Sequence, residues 1–297
     1  MKLLAPEYYN DFKCIADKCR HSCCVGWEID VDGDTMARYE ALDSGYGPEI
    51  IGSIEKGDTP HFRLCEKDRC PHLDERGLCR IITELGEGYL CHICREHPRF
   101  YNDTPYGKEV GLGMSCEEAA RIVLSSDSYG NIIEIGETDG EETGSFFDPI
   151  PHRERIFSIL SDRSRPYAER LAAISEEYDV SPDAVAEERW RELFGELEYL
   201  DESHRELFKA YSSDKKTPAE LEKKLERALA YFVYRHCTGA WDEDEFRASL
   251  GFCLFCERLV ASVAPLCESI FDAARIVSEE IEYSEDNTEM LKEKFEY

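Results

Sequence analysis

From residue 151 onward, apolar residues recur three and four positions apart, the period of helices that bury one face. The pattern predicts helices over 155–160, Tyr167–Tyr178 and 182–200. A long helix starts at Pro218 and carries Leu221, Leu225, Leu229, Phe232, Val233 and His236 along one face. Segments 246–263 and 269–281 complete the set. The aromatic positions Phe208, Tyr211, Tyr231, Phe232, Tyr234 and Trp241 belong to this half and read as core.

Before residue 125 cysteines and glycines interrupt any period, and few regular elements are expected. Asp32-Gly33-Asp34 precedes a helix with Met36, Tyr39 and Leu42 on one face. Segments 61–65, 110–114 and 132–135 read as short strands. Ser115 reads as the N-cap of a helix with Cys116, Glu117 and Glu118 in its first turn, where the partial positive charge favours a thiolate. Residues 126–150 carry turn formers and an acidic run, as a linker or surface excursion does. The expected fold is mainly α: a cysteine-rich metal-binding region with few short strands over 1–125, a linker over 126–150, and a helical domain over 151–297.

Charge narrows the partners. The 297 residues hold 64 acidic and 35 basic side chains, a formal net charge of −29. Such a surface repels nucleic-acid phosphates and anionic lipid, so neither nucleic acid nor membrane is expected as a partner. It serves solubility and tolerates a partner that presents lysines. The opening MKLLAPEYYN has no basic or apolar leader pattern, which predicts a cytoplasmic protein whose thiols meet a reducing environment.

That expectation decides how the cysteines are read. Ten of the fourteen fall within the first 116 residues, at 14, 19, 23, 24, 65, 70, 79, 91, 94 and 116. In a reducing compartment such density points to metal rather than disulfides. Cys19-x3-Cys23-Cys24 and Cys91-x2-Cys94 supply neighbouring corners of a cage, and longer returns at Cys70, Cys79 and Cys116 close it. Four thiolates suffice for a structural zinc or for an iron–sulfur cluster, and spacing alone does not separate the two. Ten cysteines exceed one site's needs, so either a second site exists or some are bystanders. His21, His72, His92 and His97 lie among them as further candidate ligands, although His97-Pro98-Arg99 reads better as a turn. The radical S-adenosylmethionine spacing C-x3-C-x2-C begins at Cys19 and Cys23 and then fails, because Gly26 stands at its third position. Cys253-x2-Cys256, with Cys237 and Cys267, reads chiefly as core and secondarily as another four-thiolate site.

Several motifs together resemble the flagellin lysine-N-methylase family: FKCIADKCRHSCCVGWEIDVD, CPHLDERGLCRI, ICREHPRFY, GMSCEEAARIVL, YFVYRHC and ARIVSEEIEYSEDNTEML. The resemblance covers 1–125 and 225–295, and it implies methyl transfer from S-adenosylmethionine to lysine side chains of flagellin. It also implies an iron–sulfur cluster, of the 4Fe–4S type, with zinc as the alternative. Carried over by motif, the ligands are Cys14, Cys19, Cys23, Cys24, Cys70, Cys79, Cys94 and Cys116, and Cys65 and Cys91 are bystanders. The amino-terminal pattern is also similar to the YkgJ-type zinc- or iron-chelating proteins. Catalytic and cofactor-binding residues stay unassigned. The lone Gly111-x-Gly113 is weak evidence for a nucleotide loop, and the helical second half argues against a doubly wound fold. The other functions open at this stage are a non-catalytic metal module and an electron-transfer protein.

Overall fold

Strand β1, Lys2–Pro6, places the first residues of the chain in a sheet whose other strands come about a hundred residues later. The computed structural model describes every residue except 43–44, 140–146, 214–216 and 297. It divides into two compact units, Lys13–Pro98 and Met1–Phe12 with Arg99–Tyr297. Nine of the ten early cysteines therefore lie in the first unit and Cys116 in the second. The change in sequence character near 125–150 follows helix density, whereas the units part at Pro98, where the chain enters a strand.

The cysteine unit is built from short pieces: α1 (Gly33–Glu40), α2 (Gly47–Ser53), β2 (Ile54–Glu55), β3 (His61–Phe62), α3 (Arg80–Leu85) and α4 (His92–Glu96). β2 and β3 pair antiparallel, so the strand expected over 61–65 is only two residues long. A small core of Ile29, Val31, Tyr39, Ile50, Phe62 and Ile81 includes Cys70 and Cys91.

In the larger unit β4 (Arg99–Thr104) and β5 (Gly107–Leu112) form a hairpin. β1 lies parallel to β5 and antiparallel to β6 (Ile132–Glu137), giving the order β4-β5-β1-β6. Gly107 has φ +148°, and a side chain there would strike the Lys2 carbonyl. Gly111 makes room for the Phe100 ring, so it is a packing glycine inside β5 and not part of a phosphate loop. β6 includes the strand expected at 132–135, and residues 140–146 of the expected linker lie outside the described residues.

Helices α5 (Glu117–Ser125), α6 (Ile150–Ser161), α7 (Tyr167–Tyr178), α8 (Glu187–Glu196), α9 (His204–Phe208), α10 (Ala219–His236), α11 (Glu243–Val263), α12 (Ile270–Val277) and α13 (Glu285–Lys292) complete this unit. The mainly α expectation holds, with thirteen α-helices among the described residues. α10 packs on α11 and α5. The segment Glu243–Leu266 is long and apolar enough to cross a bilayer by composition, but 83% of its apolar window is buried inside the fold.

Four expectations need correction. Cys116, not Ser115, is the N-cap of α5, and it makes no side-chain cap bond. The 182–200 helix shrinks to α8, because Leu197 turns to extended backbone yet still packs in the core and so keeps the apolar period. Trp241 is 75% exposed, whereas the other five aromatic positions are buried. The last predicted helix, 269–281, divides into α12 and a π-helical turn, Ser278–Glu282. Both Glu280 and Glu282 on that turn are buried with partners. Glu280 receives His204 Nδ1 at 2.6 Å, and Glu282 receives His236 Nε2 at 2.7 Å and the Tyr231 hydroxyl at 2.9 Å.

Tyr231 shows why three distant motifs belong together. Its hydroxyl donates to Glu282 and accepts from Arg235 Nη1 at 2.9 Å and the Met114 N–H at 3.2 Å. One proton and two lone pairs are thereby used. Other buried charges are paired as well: Arg153 grips Glu109 through two bonds of 2.5 and 3.0 Å, and Glu226 accepts from Arg170, Arg163 and Tyr129.

Glu257 differs, because among the described residues its carboxylate receives only the Tyr167 hydroxyl, at 2.9 Å. Burial pushes its pKa up to about 7 from an ordinary 4.5. A raised carboxyl pKa contributes stability that is fully present below pH 4.5 and is lost as pH climbs to about 7. Glu257→Gln therefore gains on the parent across that interval by up to about 3 kcal/mol. Denaturant midpoints of the two proteins at pH 4.5 and 7.5 measure the gain, and parallel pH profiles would remove the argument.

Candidate metal centre

Backbone hydrogen bonds bring four cysteine-bearing segments together before any sulfur chemistry is considered. After Cys23-Cys24 the chain turns at Gly26, whose φ of +83° suits glycine. There the Gly26 N–H reaches the Asp68 carbonyl at 2.9 Å, and the Cys70 N–H reaches the Cys24 carbonyl at 2.8 Å. The loop from Cys70 to Cys79 closes on Asp74, whose carboxylate accepts the N–H groups of Arg76 and Leu78 at 2.8 and 2.9 Å. Gly77 takes the left-handed position of that turn, and Leu73 then bridges back to Cys79. Cys79 is the N-cap of α3, and Cys91 is the N-cap of α4, which carries Cys94.

Asp32 sets the place of α4. Its carboxylate caps α1 at the Thr35 N–H, 3.0 Å away, and also accepts the His92 N–H at 2.8 Å. Burial opposes the charge, but the His92 and Thr35 donors outweigh it and hold the carboxyl near 2.

Six thiols feel one another at this junction. Cys70 and Cys91 are buried, Cys24, Cys79 and Cys94 are half-buried, and Cys23 is exposed. A hydrogen bond from Cys23 outweighs burial at Cys24 and, with Ser22 and Arg69, lowers that thiol to about 7. Burial pushes Cys70 up to about 12 against the His72 N–H, and the negative charges of Cys24, Cys79 and Cys91 add to the rise. Burial likewise raises Cys79, with Cys24 and Cys91 as charged neighbours, while the N–H groups of Ile82 and Ile81 donate to its sulfur. Cys94 bonds to Cys91 and is held far up, whereas Cys91 is lowered, first by that bond and then, against burial, by the Tyr39 hydroxyl.

This donor set suits a soft cation. Convergent sulfurs that raise one another's proton affinity gain most when a metal ion replaces their protons, and backbone N–H donors aimed at sulfur stabilise the thiolate form. Cys91 belongs to the group, although the family motif leaves it out. Its signal was the C-x2-C spacing with Cys94. Cys14 and Cys65 are exposed. Cys19 donates its S–H to the His21 carbonyl at 3.2 Å, and Cys116 sits in the other unit. His72 spends both ring nitrogens, on the Tyr46 hydroxyl at 2.5 Å and the Ser53 hydroxyl at 2.9 Å, which leaves none for a metal.

In the larger unit, Cys237 and Cys253 touch at 3.8 Å in the apolar core with Cys256 fully buried, and burial raises Cys253 and Cys256 far above the ordinary thiol range. The core reading fits these three. His204, Glu279 and Glu280 bring ligand atoms within 4.8 Å of one another. Part of their capacity is already used: Glu280 accepts His204 Nδ1 and the Leu200 N–H, and Glu279 pairs with Arg275.

Comparison with known proteins agrees with the motif resemblance. The chain is 29% identical over 134 residues to lysine-N-methylases of Salmonella choleraesuis and Salmonella typhimurium, a match over 40% of this chain and 32% of each relative. It is 26% identical over 161 residues to the flagellar biosynthetic protein FliU of Salmonella muenchen, covering 52% of this chain and 94% of that protein. The chain thus spans about a third of the length of the lysine-N-methylases it matches. No family model and no solved structure matches it.

Substitution separates the two cysteine groups. Cys23→Ser or Cys24→Ser lowers metal content and melting temperature together, since binding energy at such a site is also folding energy. Cys253→Ser and Cys256→Ser leave metal content unchanged and lower stability only as a core defect does, by about 1–3 kcal/mol. Elemental analysis beside thermal melts reads both, and metal loss in the second pair contradicts the assignment.

Proposed function

We propose that this chain takes part in lysine N-methylation, with S-adenosylmethionine as methyl donor and flagellin as protein substrate, and that its amino-terminal cysteines hold an iron–sulfur cluster. The observation that carries the reading is the convergence of six thiols in a chain similar to two lysine-N-methylases. The net charge of −29 supports a lysine-bearing partner, whose approach it would steer.

The chemistry sets two requirements. A lysine ammonium has no lone pair, so its proton must leave before the nitrogen meets the sulfonium methyl group. Water must also be kept from the cofactor. The residues that would hold the cluster are drawn from the early cysteines, among them Cys14, Cys19 and Cys116 and the six thiols Cys23, Cys24, Cys70, Cys79, Cys91 and Cys94 that influence one another. When bound, such a cluster supplies a Lewis-acidic and redox-active iron.

The short coverage of the lysine-N-methylases favours a second reading, a metal-binding module without its own transferase activity. One cavity in the helical unit, about 240 Å³ and lined by Asp183, Glu187, Trp190, Tyr211 and Ser213, is small for S-adenosylmethionine.

Protein purified without oxygen, incubated with flagellin and methyl-labelled S-adenosylmethionine, is expected to label flagellin lysines in proportion to its iron and sulfide content. Bound zinc with no transfer would select the second reading.

A further inference from the structure

Trp241 stands at the turn between the two longest helices, α10 and α11, and is 75% exposed. Tryptophan is on average a well-buried residue, so a ring left in water calls for a reason. Its backbone is not loose. The Trp241 N–H donates to Glu245 Oε2 at 3.0 Å, and the Glu245 N–H donates to Asp242 Oδ1 at 2.8 Å. Thr238 and Ala240, just before it, are buried.

A hydrophobic residue ahead of a helix cap ordinarily packs on the fourth residue of the helix. Here that residue is Phe246, and no ring contact joins the two. Phe246 instead meets His152 at 5.3 Å and Phe147 and Tyr178 at 5.8 Å between ring centroids. Its place is taken, and the Trp241 ring meets no other ring and no cation among the described residues. The surroundings are acidic. Asp242, Glu243 and Asp244 are exposed and have no ion-pair partner among the described residues, whereas Glu245 pairs with Lys292.

An exposed indole beside unpaired carboxylates matches one side-chain chemistry. A lysine brings an aliphatic stem that lies along the ring and an ammonium drawn both to its face and to the carboxylates. A phosphate or carboxylate would be repelled here, and a wholly apolar ligand would leave the charges unanswered. The turn is fixed before contact, so little ordering is lost on binding.

We propose that Trp241, with Glu243 and Asp244, is a docking point for a lysine-bearing segment of the partner protein. The inference rests on the lysine-methylation reading for the identity of that partner, and it concerns binding rather than methyl transfer.

The test uses the full chain with an oligolysine peptide, a copy whose lysines are all glutamine, and flagellin. The difference in emission between the parent and Trp241→Phe isolates this ring from Trp27 and Trp190. Oligolysine and flagellin should move that emission to the blue and shield it from acrylamide, and the glutamine copy should leave it unchanged. Trp241→Ala should keep the melting temperature, because the ring is mostly exposed, and should weaken flagellin binding about tenfold. Glu243→Gln with Asp244→Asn should weaken binding clearly, and Glu176→Gln with Glu188→Gln, an equal change of charge at other exposed positions, should weaken it far less. Equal affinity of the parent and Trp241→Ala, or equal loss from the two charge pairs, overturns the inference whether or not flagellin is methylated. So does emission that shifts with chain concentration alone, which assigns the ring to a second copy, or with phosphatidylcholine vesicles, which assigns it to lipid. Flagellin binding that needs Trp241 in a chain that transfers no methyl group supports the inference and removes the methylase reading.

Discussion

Thiols brought together in a buried place make ionisation harder for one another, and the arrangement of the cysteine unit follows from that constraint. Cys70 and Cys79 are raised by burial and by their charged neighbours, even though backbone N–H groups donate to both sulfurs. A fold that collects like charges in this way needs either protons or a cation to neutralise them. The segments that bring them in are fixed by bonds independent of sulfur: the Cys24–Cys70 backbone pair, the Asp74 turn and the Asp32 cap on α4. Their geometry is set without a metal, which would lower the ordering cost of binding one.

Asp32 and Tyr39 show how a helix without cysteines fixes a cysteine-bearing segment. The carboxylate begins one helix and holds the start of another, and the tyrosine one face along closes on the thiol between them. In the larger unit charge is handled differently. Glu109, Glu226 and Glu282 each meet arginine directly, and Tyr231 ties Glu282 to the turn at Met114. Pairing of this kind turns a buried carboxylate from a liability into a constraint on where its neighbours sit.

Much of this was legible in the chain. The 3.6-residue period located α7 to the residue and α10 and α11 within three, because long helices with one buried face leave a clear pattern. It failed where tertiary bonds decide. Leu197 keeps the apolar period after the helix has ended, and the π-turn at Ser278–Glu282 depends on partners on α9 and α10 that no local pattern announces. Short elements such as α2, α3 and α4 are set by caps and turns and leave little periodicity. At the candidate site, the thiol density and the C-x2-C spacing were visible, and spacing alone put Cys91 beside Cys94. The family motif set Cys91 aside, and the structure buries it beside Tyr39 and Cys94. Asp32 was legible as a helix cap, but its second role, on α4, depends on a contact sixty residues away.

The most direct measurement is X-ray absorption at the metal edge of the intact protein purified without oxygen. The account predicts a first shell of sulfur alone, about four neighbours near 2.3 Å, for iron or zinc. A shell dominated by nitrogen or oxygen would contradict it, because the account rests on the thiols gathered at this junction.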